Sequence, residues 1–164
     1  MLDKELLIEL KNYVESHVHP AVLHEMKLYS SEERLITEEL QNVEIEDFIK
    51  IKRQPTFHQT LFRFIDKKGT SDSDIYKRAG IDRRHFSKIR SNSEYKPKKN
   101  TVIALALALE LTKKETEKLL SSAGYTLSDS DTFDLVIQFC IEKKIYDFYF
   151  INQALDYFSL NPLI

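Results

Sequence analysis

The sequence predicts an all-α protein: a five-helix domain with an N-terminal helical extension and a pair of C-terminal helices. Three observations predict it. Glycine occurs only three times in 164 residues, at Gly69, Gly80 and Gly124. That is too sparse for a dinucleotide fingerprint or a phosphate-cradling loop, which cluster glycines where backbone approaches ligand. The four prolines, Pro20, Pro55, Pro97 and Pro162, each fall between periodic segments. The stretches they bound are rich in Leu, Lys and Glu, with apolar residues recurring at helical spacing.

From the N-terminus, Leu2, Leu6, Leu10, Tyr13, Val14 and His17 share one helical stripe over residues 2–17. Residues 21–42 read as a second helix bearing Leu23, Met26, Leu35, Ile36 and Leu40. Residues 43–53 are ambiguous, because Val43, Ile45, Ile49 and Ile51 have some period-two character and allow a short strand. Gln54-Pro55-Thr56 marks the boundary between the extension, residues 1–55, and the main domain. Thr56 caps a helix bearing Phe57, Leu61, Phe64 and Ile65, which Gly69 ends. Ser71 or Asp72 caps a short helix through Ala79, closed by Gly80. Asp82 is favoured as the cap of a third helix, with Phe86 and Ile89 inward. Pro97 opens a helix from about Lys98 to Leu111. Its run Val102 to Leu109 is apolar all round and belongs at the buried centre. Thr112 and Glu115 form a capping box for a fifth helix, which Gly124 terminates. In residues 125–164, Ser128 to Asp131 caps a helix with Phe133, Val136, Ile137, Cys140 and Ile141 on one face. A last helix carries Ile151, Ala154, Leu155 and Phe158.

Charge is unevenly spread. The net value is −2. Residues 1–50 hold 5 basic and 12 acidic side chains, whereas residues 51–100 hold 14 basic and 5 acidic ones. A local charge of +9 steers a polyanion even where the whole chain is slightly acidic. The plainer reading of the same numbers is a solvated, highly charged surface.

The basic segment contains a specific arrangement. Residues 71–91 place two short helices around Gly80. Ile75 and Ala79 face inward from the first, Ile81 plugs the turn, and Phe86 and Ile89 anchor the second. Arg83, Arg84, His85, Lys88 and Arg90 then project outward. An apolar underside that fixes the angle, with long basic side chains above it, is what a helix lying in a DNA major groove needs. Arg spans O6 and N7 of guanine, and Lys reaches the same atoms. Ser87 either touches a phosphate or tolerates close packing. Asn92, Lys96, Lys98 and Lys99 follow in the next loop and helix start, where backbone N–H groups attract phosphate.

On these residues the chain resembles the lambda repressor-like (Cro/CI, XRE-type) helix-turn-helix family over residues 56–124. Ile75, Gly80, Ile81 and Phe86-Ser87-Lys88-Ile89 match the family pattern, as do Pro97 and the run Ala104 to Leu111. Tyr76 stands where the family usually carries a small residue, so either the helices are spaced differently or Tyr76 tilts outward. Residues 57–163 also resemble a module that follows macro domains in some Gram-positive bacterial proteins, through "AGIDRRHFSKIRSN", "LALALEL" and "AGYTLSDSDTFDLVI". The resemblance implies a sequence-specific binder of double-stranded DNA, a transcriptional regulator of bacterial or phage origin. The alternative is a protein-interaction module of a phage-defence or counter-defence system that keeps the fold without DNA binding.

Little else suggests chemistry. His17, His19 and His24 have spacing that can hold a transition metal, but Pro20 interrupts them, and surface histidines at a helix end are the simpler reading. Cys140 is the single cysteine, which excludes a disulfide framework; on an apolar helix face it reads as a buried, inert thiol. No nucleophile turn or oxyanion-hole glycine is visible, so no enzyme and no cofactor is expected. No apolar run approaches the roughly 20 residues of a bilayer span. The start, Leu2-Asp3-Lys4-Glu5-Leu6, is unlike a signal peptide, which makes the cytoplasm the expected location. Six aromatics, Tyr146, Phe148, Tyr149, Phe150, Tyr157 and Phe158, crowd residues 145–164, and most are expected to close the core. A homodimer, or a protein partner engaged through residues 1–55 or the aromatic C-terminus, is a further expectation.

Overall fold

The structure is a computed structural model that describes residues 8–10, 12–13 and 20–164, the side chains of 20–33 excepted. The helix expected over residues 2–17 therefore lies mostly outside the described residues. Among the described residues there are eight labelled helices and no strand. The chain divides into two compact units, Met1–Arg53 and Gln54–Ile164.

In the first unit, α1 runs unbroken from Pro20 to Lys52. The short strand allowed for residues 43–53 does not form. No glycine or proline interrupts this stretch, and a strand would need a pairing neighbour that a helix does not. The period-two pattern comes from apolar residues falling on two helix faces. Ile36, Leu40 and Val43 follow one, Ile45, Phe48 and Ile49 another, and all six are exposed. At 1.5 Å per residue, α1 is about 50 Å long.

The second unit holds seven helices: α2 (Phe57–Lys68), α3 (Asp72–Arg78), α4 (Arg83–Ser91), α5 (Lys99–Ala108), α6 (Lys113–Ser122), α7 (Thr132–Glu142) and α8 (Phe148–Tyr157). Every residue from Val102 to Leu109 is buried, which makes α5 the centre of the unit. Against it pack α3 and α6; α6 also packs on α2 and α7, and α7 on α8. Two tyrosines tie the layers through buried carbonyls. Tyr125 Oη donates to Pro97 O (2.9 Å), and Tyr146 Oη donates to Leu111 O (3.1 Å).

Helix starts follow the capping chemistry of the sequence. Thr56 and Thr112 each form a reciprocal capping box, with Gln59 and Glu115. The Thr112 backbone N–H, with Lys67 nearby, holds the Glu115 carboxyl below its ordinary range. Helix ends hold a finding the sequence hid. Gly69, Gly80 and Gly124 take left-handed φ, as expected, but so do Glu110 (53°), Lys144 (56°) and Ser159 (57°). In each case the following N–H reaches back five residues: Leu111 to Ala106 O, Ile145 to Cys140 O, Leu160 to Leu155 O. This Schellman bend swings an apolar residue onto the helix it has just left. Hence α5 stops at Ala108, short of the expected Leu111. A non-glycine residue bears a steric cost there, so Lys144→Gly is expected to stabilise the second unit by about 0.5–1 kcal/mol, read as a higher denaturant midpoint at constant slope.

The aromatic C-terminus departs from expectation. Tyr146 and Phe148 pack on the core, but Tyr149, Phe150, Tyr157 and Phe158 are exposed. The register of α8 turns Ile151 and Leu155 inward, and that leaves positions 149, 150 and 157 on the outer arc. Phe158 continues the inward stripe by spacing, but the helix ends at Tyr157 and Phe158, its C-cap residue, is exposed.

Candidate nucleic-acid interface

The α3–turn–α4 unit is built from short-range rules. Ser71 Oγ caps α3 by accepting from Asp74 N–H (3.2 Å). At the turn Gly80 has φ +65°, a left-handed conformation that favours glycine. The bend brings Ile81 N–H back to Tyr76 O (2.9 Å) and buries Ile81. Ile75, Ala79, Phe86 and Ile89 complete the apolar seam. Tyr76 is half-buried with its ring 5.7 Å from that of Phe86, so it extends this seam. The end of the second unit braces the turn as well. Leu163 is buried and donates its N–H to Asn152 Oδ1 (2.9 Å). A β-carbon on Gly80 would stand 3.4 Å from Ile164 Cγ2.

The ten basic and polar residues singled out by sequence separate into groups. Arg83, Arg84, Lys96 and Lys98 are exposed and have no ion-pair partner among the described residues. Ser87 is exposed between them on α4. Lys88 places Nζ 4.3 Å from the centroid of the Tyr95 ring. His85 is half-buried, with Nε2 3.1 Å from Tyr95 Oη, so it belongs to the packing of the 92–96 loop. Asn92 organises that loop: its Oδ1 accepts from Glu94 N–H (3.0 Å) and its carbonyl from Tyr95 N–H (3.1 Å).

Arg90 and Lys99 are committed elsewhere. Arg90 forms a two-pronged pair with Asp72, its Nε donating at 2.8 Å, and its guanidinium lies 3.9 Å from the Phe62 ring centroid. Its carbonyl is 2.8 Å from His58 Nε2. Arg90 thus joins α2, α3 and α4 while its side chain stays about half exposed. Lys99 Nζ donates to Asp134 Oδ2 at 2.6 Å, and the same oxygen accepts from Ser128 N–H at 2.8 Å. Sequence reasoning missed Asp72, Tyr95 and Asp134. Only Tyr95 left a signal, as a lone aromatic in a basic polar loop.

Helix starts distinguish this face. Within the second unit, α2, α3, α6, α7 and α8 have side-chain caps from Thr56, Ser71, Thr112, Asp131 and Asp147. Asp82 and Lys98 occupy the cap positions of α4 and α5, but neither makes a side-chain capping hydrogen bond. The expected cap by Asp82 is thus one of position alone. The first N–H groups of these two helices keep their hydrogen-bonding capacity and their partial positive charge.

The remaining candidate groups show no reaction geometry. Cys140 is fully buried, and burial pushes its thiol up from the ordinary value. Modification by a thiol reagent is therefore expected only as fast as the second unit opens, so a native-state rate equal to the unfolded-state rate would contradict its burial. A cleft of about 290 Å³ beside α6 and α7 is lined in part by Lys113, Glu117, Asp129 and Gln138. Three of these groups are already engaged: Lys113 pairs with Glu142 (3.0 Å), and Gln138 donates to Asp129 (3.1 Å). Among the described residues, no three His, Cys, Asp or Glu side chains are grouped to hold a metal ion. His17, His19 and the side chain of His24 lie outside the described residues. No helix among them is long and apolar enough to cross a membrane.

No protein-family model, curated protein or solved structure matches the chain.

Proposed function

We propose that residues 56–124 form a lambda repressor-like helix-turn-helix domain and that the chain binds double-stranded DNA in a sequence-specific manner, as a transcriptional regulator of bacterial or phage origin. The observation that carries this reading is the start of α4. Arg83 and Arg84 stand exposed and unpaired among the described residues, above an underside anchored by Phe86 and Ile89. The uncapped N-termini of α4 and α5 add N–H donors for phosphate oxygens, and Lys96 and Lys98 add charge beside them. Arg83 and Arg84 read guanine edges in the major groove, and the lysines neutralise the backbone.

The test is affinity for a random-sequence duplex pool as a function of salt, measured by fluorescence anisotropy. Three lysine–phosphate contacts, by Lys88, Lys96 and Lys98, predict a log–log slope of about −3. A slope near zero rejects phosphate-driven binding. A second reading, a protein-interaction module of a defence or counter-defence system, is favoured by the exposed Tyr149, Phe150, Tyr157 and Phe158 and by the exposed apolar residues of α1. A chain that shifts no duplex but co-purifies with one stoichiometric protein follows that reading.

A further inference from the structure

We infer that Tyr95 is a positioning residue that holds Lys88 for a phosphate oxygen rather than a base edge, an inference that rests on the duplex-binding reading above. A lysine on an exposed helix face ordinarily samples many rotamers, and ordering it costs up to about 2 kcal/mol of rotamer entropy. Here the ammonium lies 4.3 Å from the Tyr95 ring centroid, within the range of cation–π attraction. The ring is itself held by His85 and by the core. Its hydroxyl meets His85 Nε2 at 3.1 Å, and the two rings stand edge to face with centroids 5.9 Å apart. Its backbone N–H donates to Asn92 O, and its side chain packs on the core.

The consequence is a division of labour along α4. Arg83 and Arg84 occupy the first turn, the part of a recognition helix that meets base edges. Lys88 lies one turn further on and is drawn to Tyr95 of the 92–96 loop. An ammonium held there acts as a point charge, suited to phosphate, and lacks the planar fork with which arginine is fixed on guanine. Tyr95 thus sets the strength of binding without setting its sequence choice.

Two measurements test this. Without DNA, ring currents are expected to move the Lys88 side-chain methylene protons upfield in the wild type and in Tyr95→Phe, and not in Tyr95→Leu. Thermal melts establish that each variant is folded. With DNA, Lys88→Ala should flatten the salt slope by about 0.9 and leave the ranking of sequences unchanged. Tyr95→Leu should keep the wild-type slope and weaken all duplexes alike by roughly two- to fivefold, the fold-change equivalent of an exposed cation–π contact. In the Lys88→Ala background it should cost nothing further. An altered sequence ranking in Lys88→Ala, an unchanged slope in that variant, or the same loss from Tyr95→Leu in both backgrounds overturns the inference and spares the duplex-binding reading. A wild-type protein that binds no duplex overturns both.

Discussion

Replacing Lys99 by Met is expected to lower the stability of the second unit by about 3–5 kcal/mol, the usual cost of stranding a buried charge. The Asp134 side chain is only 2% exposed, against 31% for Lys99. Asp134 Oδ2 accepts from both Lys99 Nζ and Ser128 N–H. Without the ammonium, the carboxylate keeps one backbone donor and little water. The reverse change, Asp134→Ala, should cost less, because the lysine head is a third exposed and rehydrates. Asp134→Asn should fall between wild type and alanine, because an amide oxygen still serves Ser128. In Lys99→Met/Asp134→Leu most of the loss should return, less the Ser128 donor left without its acceptor. Denaturant titration resolves the series. A Lys99→Met protein within about 1 kcal/mol of wild type would show that Asp134 reaches solvent. Because Lys99 was also a candidate DNA contact, any affinity lost in this variant must first be compared with its folded fraction.

Removing Arg83 and Arg84 is expected to produce the largest loss of DNA affinity with almost no loss of fold. Neither side chain has an ion-pair partner among the described residues, so stability should stay within about 0.5 kcal/mol. A bidentate arginine–guanine contact contributes about 1–3 kcal/mol of discrimination. Each alanine should therefore cost roughly tenfold to a hundredfold on the preferred site and much less on random duplex. Arg84→Lys should recover only part of the loss, since an ammonium reaches O6 and N7 from a single nitrogen and lacks the planar fork that fixes arginine on guanine. Arg90→Ala supplies the contrast. It breaks the pair with Asp72 and the contact with Phe62, so its effect should appear first in the melting curve. If Arg84→Ala leaves sequence choice intact, the placement of α4 in the groove is wrong.

Most of the second unit was legible because its signals are local. Thr56, Thr112 and Asp131 cap within three residues, and Gly69, Gly80 and Gly124 mark the bends. The run Val102 to Leu109 has no polar face to leave outside. What escaped was of two kinds. Glu110, Lys144 and Ser159 bend the backbone as glycines do, and only the apolar residue behind each one explains why; no propensity announces that. The partners of Arg90 and Lys99 lie 18 and 35 residues away in sequence, so nothing in the spacing separates a committed cation from a free one. Basic composition pointed to the face, and only geometry sorted its members. The strand allowed near Val43 failed for another reason: a helix with two apolar faces imitates alternation.

The way the second unit finishes bears on how the protein is handled in the laboratory. Leu163 is anchored under α8, and Ile164 rests on the glycine between α3 and α4. A purification handle or fluorescent reporter spliced directly after residue 164 would emerge beside the bend that orients Arg83 and Arg84. Under the duplex-binding proposal it would crowd that face and mimic a binding defect. A long flexible spacer at that junction, or removal of the handle by protease before titration, keeps such an artefact out of the affinity data.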